Sequence, residues 1–321
     1  MVKAGKFVPG DLQLAYNKLL EGGITVLETS AAYGAVSRKQ KLSAQDILNR
    51  CVDEQEEGMP ETLLMESLGG PAWTKAISSG AIVSHLQSSC ERLNTDAVQL
   101  YQVPKSFLFP GAILANGLAA AMDSGYCNYV GVRGITSARA LRRFCRRLDD
   151  RGFTLTSNAF DFSLTNPKAA GMFDACRESG VIPFVTNPLD FGLASGVFTA
   201  TNPSGGQVAG SNQFSFKELE KLQPLHSVQE SIAERVRTRV IREMRDTQDR
   251  FKSRYGPPPK INTDITTTQV ALNYVIAKGG VPLPEVNNPK DAEEVLGCLG
   301  WTLSDDEVDM LDAAISLCRL K

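Results

Sequence analysis

The feature that most constrains the fold is a regular alternation of short apolar, β-branched segments with longer amphipathic ones. Seven short segments predict strands, at 24–28, 62–66, 97–103, 128–133, 153–158, 181–186 and 281–283. The first six start about 25 to 38 residues apart, and helical patterns lie between them. This interval is typical of βαβ units, whose strands pair in parallel. The sequence therefore predicts an α/β fold built on a parallel sheet.

A closed (β/α)8 TIM barrel needs one strand more than these seven. Only the segment from Val2 to Phe7 could supply it, as the first strand, and that segment is short and contains two lysines and a glycine. We therefore predict one barrel over residues 1–321 whose first strand is short or missing. A chain of 321 residues is within the size range of such barrels.

The alternation of strand and helix patterns is interrupted once, at 199–265, where we predict an insertion. It follows the segment 181–186, which is strand 7 of the barrel when the short or missing first strand is counted. The insertion consists of a loop rich in Gly, Ser and Asn and a long amphipathic helix from Ser227 to Tyr255. The pattern favours a surface helix packed on the barrel, with its charged face in solvent. A docking arm for a protein partner remains an alternative. Membrane-surface binding is less favoured, because acidic residues interrupt the basic face.

Composition and charge exclude several functional classes. The net charge is −2, so the chain as a whole has no basic footprint for nucleic acid. No apolar run approaches the length of a membrane span. The two histidines, His85 and His226, are too few for a multi-histidine metal site. The seven cysteines are spread along the chain without a C-x-x-C pair, so we expect reduced, mostly buried thiols and no metal.

Several segments together carry a family resemblance. They are GITVLETSAAYG at 23–34, SCERLNTDAVQLYQ at 89–102, YVGV at 129–132, LTSN at 155–158, LEKLQPL at 219–225, TQVALNY at 268–274 and GCLGW at 297–301. With them the chain resembles the aldo-keto reductases, most closely the plastid-type members of plants and algae. The resemblance implies a (β/α)8 barrel that binds NADPH at the carboxyl ends of its strands. It also implies a chloroplast location.

The resemblance implies four catalytic positions, and this chain departs from the family at three of them. The general acid that protonates the carbonyl matches Tyr33, and the supporting aspartate is replaced by Glu28. The lysine that lowers the pKa of the tyrosine falls on Ser67, and the histidine that orients the carbonyl falls on Pro104. A phenol without a neighbouring cation has a pKa near 10 and is a weak acid.

The positions that the resemblance assigns to the cofactor are also altered. Ser157 and Asn158 remain from a run that holds the nicotinamide amide, but Thr186 stands where an aromatic ring would stack. In the phosphate-binding segment, Glu285 replaces a glycine and Asn287 replaces a cation. A carboxylate there repels the anionic dinucleotide. We therefore expect no cofactor, or NADPH if the chain is active.

Three hypotheses about function follow. The favoured one is a catalytically degenerate aldo-keto-reductase-like barrel that acts as a binding or scaffold subunit. The second is an active NADPH-dependent carbonyl or aldehyde reductase with a rearranged site, in which Tyr33 works with Glu28 or Lys105. The third is a barrel that binds another small ligand, with Arg133 as an anchor for an anion.

Overall fold

The computed structural model describes residues 9–33, 43–55, 58–69, 78–105, 111–205, 214–251 and 264–318. Two elements predicted from the sequence lie wholly or partly outside these ranges. The candidate first strand from Val2 to Phe7 is one, and the end of the long helix at Tyr255 is the other.

Seven strands follow one another in chain order within a single sheet. They are β1 (Val26–Thr29), β2 (Leu63–Ser67), β3 (Val98–Pro104), β4 (Cys127–Arg133), β5 (Ser157–Asp161), β6 (Ile182–Thr186) and β7 (Val281–Leu283). The strands are parallel, and their order is that of a (β/α)8 barrel with one strand fewer among the described residues. The predicted fold class is confirmed.

Eleven α-helices lie in the described ranges, and most follow a strand as predicted. They are α1 (Pro9–Glu21), α2 (Ala44–Asp53), α3 (Ser79–Leu93), α4 (Gly111–Asp123), α5 (Ala138–Asp149), α6 (Gly171–Glu178), α7 (Phe216–Lys221), α8 (Gln223–Phe251), α9 (Thr267–Ala277), α10 (Pro289–Leu296) and α11 (Asp305–Leu317). At the start of α11, Ser304 and Glu307 form the predicted capping box, in which each side chain accepts the other's backbone N–H.

The prediction for the fifth strand was wrong in its position along the chain. The segment 153–158 was predicted as a strand, but β5 begins at Ser157 and runs to Asp161. Residues 153–156 connect α5 to the sheet, and their apolar pattern reflects burial: Leu155 is 1% exposed. Ser157 and Asn158 therefore start the strand.

Among its described residues, the segment 199–265 contains two helices, α7 and α8, where the sequence predicted a loop and one long helix from Ser227 to Tyr255. The described part of that helix, 227–251, lies within α8. The helix α7 ends at Lys221 and α8 starts at Gln223. Pro224 explains the break, because proline has no N–H to continue the preceding helix. On α8, Ile232, Val236 and Val240 are buried. The favoured interpretation, a helix with its apolar face packed inside, fits this part of α8.

The described chain divides into two compact units, of which the first is Met1–Phe160, Gly171–Phe184 and Glu285–Ala292. In its core, α1 packs on α2 beside the strand β1. The buried residues of this cluster are Tyr16, Leu20, Ile47 and Cys51, and Leu27 packs against them. Leu27 thus faces the helices, so its neighbour Glu28 on β1 faces the opposite side of the sheet.

The second unit is Asp161–Ala170, Val185–Pro284 and Glu293–Lys321. The helix α8 packs on α9 and α11 within it. The rings of Phe162 and Tyr274 stack with centroids 6.0 Å apart. The Tyr274 hydroxyl donates to Asp312 on α11, whose other oxygen accepts from Lys278 at 2.7 Å. These contacts join α9 to α11.

Candidate active site

Three side chains of the first unit meet beyond the carboxyl end of β1. Glu28 is the third residue of β1, Tyr33 lies in the following turn, and Arg133 is the last residue of β4. The Arg133 Nη1 donates to Glu28 Oε1 at 2.6 Å and lies 3.1 Å from the Tyr33 hydroxyl. The Tyr33 hydroxyl donates to the same Glu28 oxygen at 3.1 Å. We call Glu28, Tyr33 and Arg133 the triad.

The strand register explains how residues about a hundred positions apart in sequence come together. Glu28 pairs with Met65, Met65 with Leu100 and Leu100 with Tyr129, so these residues form one row across four strands. Arg133 lies four residues beyond Tyr129 on β4, hence on the same face, because side chains alternate along a strand. Its long side chain reaches Glu28.

Burial and the neighbouring carboxylate make Tyr33 a poorer acid than an ordinary tyrosine. Desolvation is the largest cause that raises the pKa of Tyr33, and Glu28 raises it further. Arg133 acts in the opposite direction without reversing the shift. Burial alone would lower the pKa of Arg133, but Glu28 and Tyr33 raise it. The guanidinium therefore stays charged.

The position that the family resemblance gives to the catalytic lysine is buried and uncharged. Ser67, the last residue of β2, is in register with Gln102 on β3. Gln102 is in register with Gly131 on β4, and Gly131 with Ser157 on β5. The Gln102 amide donates to the Ser157 hydroxyl at 2.9 Å, and Ser67 makes a longer contact of 3.5 Å with Gln102. All three polar side chains are fully buried. They form a closed row of neutral groups.

Gly131 completes this row, because no side chain fits at its position. A Cβ atom there would lie 2.0 Å from the Ser157 hydroxyl oxygen. The absence of a side chain therefore allows Ser157 and Gln102 to meet across β4.

The end of β3 supplies neither the histidine of the resemblance nor a substitute for it. Pro104 pairs with Arg133, and the backbone N–H of Lys105 donates to the Arg133 carbonyl at 2.7 Å. Among the described residues, the side chain of Lys105 has no ion pair or hydrogen bond with Tyr33 or Glu28. Arg133, and not Lys105, is the cation beside the tyrosine.

The remaining polar residues of β5 and β6 bind to protein groups. In the first unit, Asn158 is buried and its amide donates to the Ile135 carbonyl at 2.9 Å. In the second unit, the Thr186 hydroxyl donates to the Asp161 carboxylate, which also accepts from Asn187 at 3.0 Å. The Asn158 amide nitrogen and the Thr186 hydroxyl thus have protein partners, whereas the buried Asn158 Oδ1 atom has no hydrogen-bond partner among the described residues.

In the loop before α10, the carboxylates of Glu285 and Asp291 accept hydrogen bonds from N–H groups of the same segment. The backbone N–H of Asn287 donates to the Asp291 carboxylate at 2.9 Å, and Asn288 donates to the same oxygen. The Asn287 amide donates to Glu285 at 3.0 Å. A backbone N–H of the kind that binds phosphate at a helix start therefore already holds a carboxylate.

Sequence reasoning named most of these residues but missed two contacts. It did not identify Gln102 as the link between Ser67 and Ser157, although alternation along β2 and β3 places all three on one face. It also treated Arg133 as a free cation, whereas the structure pairs it with Glu28. No local signal predicts that pair, because it joins residues 105 positions apart.

The described ranges show no sign of two other kinds of site. Within them, no group of three or more His, Cys, Asp or Glu side chains could hold a metal ion. No helix there combines the length and the apolar character that crossing a membrane requires.

Comparisons with known proteins place this geometry in context. A family model described as the aldo/keto reductase family matches residues 3–316. Pyridoxal reductase, chloroplastic, of Arabidopsis thaliana is 26% identical over 314 residues, which cover 94% of this chain and 76% of that protein.

Two solved structures share the fold. One is an aldo-keto reductase from Bacillus halodurans in its holo form, with a TM-score of 0.63 at 16% identity, covering 97% of this chain and 88% of that one. The other is a glycerol dehydrogenase from Gluconobacter oxydans, with a TM-score of 0.66 at 15% identity, covering 98% of this chain and 88% of that one.

Proposed function

The chain belongs to the aldo/keto reductase family, and from this premise we propose that it is a binding or scaffold subunit that has lost NADPH-dependent hydride transfer. One observation carries the proposal. The hydroxyl of Tyr33, at the general-acid position, donates a hydrogen bond to Glu28, and desolvation and that carboxylate raise the pKa of Tyr33. A general acid works best when its pKa lies near the working pH. The triad moves Tyr33 away from that range.

The cofactor positions support the same proposal. NADPH needs a cradle of free N–H groups and cations for its phosphates. In this chain Asp291 holds the Asn287 N–H, and Glu285 adds a second carboxylate to the loop. The Ser157 hydroxyl and the Asn158 amide nitrogen are buried and bonded within the protein, which leaves the Asn158 Oδ1 atom as the unpartnered polar atom of this pair in the described structure. The residues present fit a dinucleotide poorly, so we assign no reaction step to it.

The proposal includes a plastid location. It is supported by the chloroplast in the name of the Arabidopsis relative and by the plastid-type resemblance of the sequence. We also propose that the whole chain acts as one barrel unit.

Turnover of NADPH with aldehydes tests the proposal directly. The purified chain is mixed with NADPH and either pyridoxal or 4-nitrobenzaldehyde, and NADPH absorbance is followed. Pyridoxal is included because the Arabidopsis relative is named a pyridoxal reductase. We expect no oxidation of NADPH above the protein-free control. Turnover that Tyr33→Phe abolishes would overturn the proposal.

A second candidate function rests on the position of Arg133. Its Nη1 lies 3.1 Å from the Tyr33 hydroxyl, so a cation does stand beside the phenol, supplied by β4 instead of β2. A carbonyl reductase could use that cation to stabilise tyrosinate after proton transfer. This candidate predicts turnover that is lost in Tyr33→Phe and reduced in Arg133→Met. The favoured proposal predicts no turnover in the wild type or in either variant.

Engineering the family residues back separates lost chemistry from lost cofactor binding. Ser67→Lys with Pro104→His restores two catalytic residue types but leaves Glu285 and Asn287 in the loop. We expect no turnover from this double variant. Adding Glu285→Gly and Asn287→Lys is expected to recover NADPH binding before turnover. Activity in the first double variant alone would show that the loop does not prevent cofactor binding.

A further inference from the structure

The helix α5 carries an unusual concentration of positive charge for a chain whose net charge is −2. Its sequence, ARALRRFCRRLD, contains five arginines in twelve residues. Its apolar side chains Leu141, Phe144 and Leu148 are buried, so the helix is already anchored in the first unit. Arg139, Arg142, Arg143 and Arg146 are exposed on the opposite face. We call these four the α5 arginine stripe.

Most of the stripe has no carboxylate partner among the described residues. There, Arg142 alone forms an ion pair, with Glu178 at 3.4 Å, and both of these side chains are more than half exposed. In the part of the chain that the structure describes, no ion pair involves Arg139, Arg143 or Arg146. The nearby Asp174 is paired with Arg177. Asp149 and Asp150 lie past the carboxyl end of the stripe.

Stability of the helix itself explains only one end of the stripe. Arg146 lies in the last turn, where the helix dipole favours a cation. Arg139 lies in the first turn, where the dipole opposes a cation, and that turn contains no acidic residue. Arg139 and Arg143, and likewise Arg142 and Arg146, are also four residues apart, a spacing at which like charges destabilise a helix. A role in helix stability therefore does not explain the stripe as a whole.

The long helix α8, the docking arm suggested by the sequence, differs from α5 in this respect. Its Arg237 pairs with Glu234 and Asp264, and its Arg239 pairs with Glu307. Its apolar residues from Ile232 to Val240 are buried. On this described part of α8 the apolar face, Arg237 and Arg239 have partners within the second unit, while the exposed Arg235 and Arg242 form no ion pair with the described residues. On α5 three of the four stripe arginines form none, and they lie within two helical turns.

We propose that the α5 arginine stripe is a docking surface for an acidic segment of a partner protein. Arginine binds carboxylates through two parallel hydrogen bonds, which suits a protein partner with several Asp or Glu side chains. From Arg139 to Arg146 the stripe spans about 10 Å, the length of two helical turns. A membrane is disfavoured, because the apolar face of α5 is buried and cannot insert.

This inference rests on the proposed binding role, and it names the surface and the chemistry of the partner. Nucleic acid is disfavoured because the overall charge is negative and because Phe144, the aromatic residue among the arginines of α5, is buried and cannot stack on a base. An acidic protein segment needs only matching carboxylates at helical spacing.

Binding of a labelled twenty-residue poly-glutamate peptide to the full chain, measured by fluorescence anisotropy, tests the inference. We expect saturable binding that weakens at least tenfold between 50 and 300 mM salt, because exposed charges are screened. The variant Arg139→Glu, Arg143→Glu, Arg146→Glu is expected to weaken binding at least tenfold. A triple Arg→Lys variant at the same positions is expected to fall between it and the wild type.

The matched control reverses three exposed cations in the second unit, with Lys217→Glu, Arg235→Glu and Arg242→Glu. It changes the net charge equally, so unchanged peptide binding supports the stripe. Circular dichroism and thermal melting confirm that both variants fold. Equal losses in the two variants, or no saturable binding by the wild type, would overturn the inference. Tighter binding to a twenty-base-pair DNA duplex or to phosphatidylserine vesicles would also overturn it, in favour of that class of partner.

Failure of this inference and failure of the proposed function are distinguishable. NADPH turnover is measured independently of peptide binding, and no stripe residue belongs to the triad. Detectable NADPH turnover would overturn the proposed loss of activity, whether or not the peptide binds. If neither turnover nor peptide binding is detected, only the proposed docking surface is overturned.

Discussion

The buried carboxyl group of Glu66 gives the sharpest prediction about stability. Glu66 is 2% exposed and lies on β2 next to Ser67, facing the helices. Its carboxylate accepts from Gln45 at 2.6 Å and from Ser89 at 3.1 Å. Arg92 binds those two side chains and not Glu66 directly. We propose to replace Glu66 by glutamine, which has nearly the same shape but no charge.

The magnitude follows from the pKa of Glu66, which burial raises from 4.5 to about 8. At about 1.4 kcal/mol per pKa unit, ionisation of Glu66 costs up to about 5 kcal/mol of stability above pH 8. The neutral form is favoured in the folded state. The wild type therefore has this stability in full below about pH 4.5, and loses it as the pH rises towards 8.

Urea unfolding between pH 5 and pH 9, followed by tryptophan fluorescence, measures this loss. We expect Glu66→Gln to become more stable than the wild type by about 2 to 5 kcal/mol at pH 9, and nearly equal to it at pH 5. The control is Glu91→Gln on α3, which makes the same substitution at an exposed carboxylate. Parallel pH profiles for the wild type and Glu66→Gln would refute the reasoning.

Three further predictions concern other contacts. Arg133→Met leaves the Glu28 carboxylate without its ion pair and is expected to cost about 1 to 3 kcal/mol in urea unfolding; adding Glu28→Gln restores part of the loss, and additive effects in this double-mutant cycle would contradict the pair. Gly131→Ala places a methyl group against the Ser157 hydroxyl and is expected to cost about 1 to 3 kcal/mol, with partial relief from Ser157→Gly; full stability of the single variant would contradict the close approach. Burial lowers the pKa of His226, so its contribution to stability is lost as the pH falls below about 6.5. The difference between wild type and His226→Leu in urea unfolding at pH 7.5 and pH 5.5 measures this, and an unchanged difference would contradict it.

The sequence predicted the sheet well because its signal is local. The apolar segments predicted the first residue of six of the seven strands to within two positions. The exception was β5, where burial of the connecting segment, including Leu155 at 1% exposure, looked like strand pairing. A pattern of apolar residues reports burial, and it reports hydrogen-bonded pairing only indirectly.

The candidate site was predicted less completely, because its contacts are long-range. The sequence identified Tyr33 and Glu28, and the replacements at Ser67 and Pro104, by resemblance. It could not predict that Arg133 pairs with Glu28, or that Asp291 binds the Asn287 N–H. Such pairs depend on strand register and on loop geometry, which single-residue patterns do not contain.

Binding of NADPH tests the central claim most directly. In a thermal-shift titration, a ligand present at a hundred times its dissociation constant stabilises the folded state by about 2.7 kcal/mol. The account predicts no shift in the melting temperature of the wild-type chain at about 1 mM NADPH, and no saturable change in NADPH fluorescence. A dissociation constant in the micromolar range would contradict it, because Glu285 and Asp291 would then not prevent dinucleotide binding.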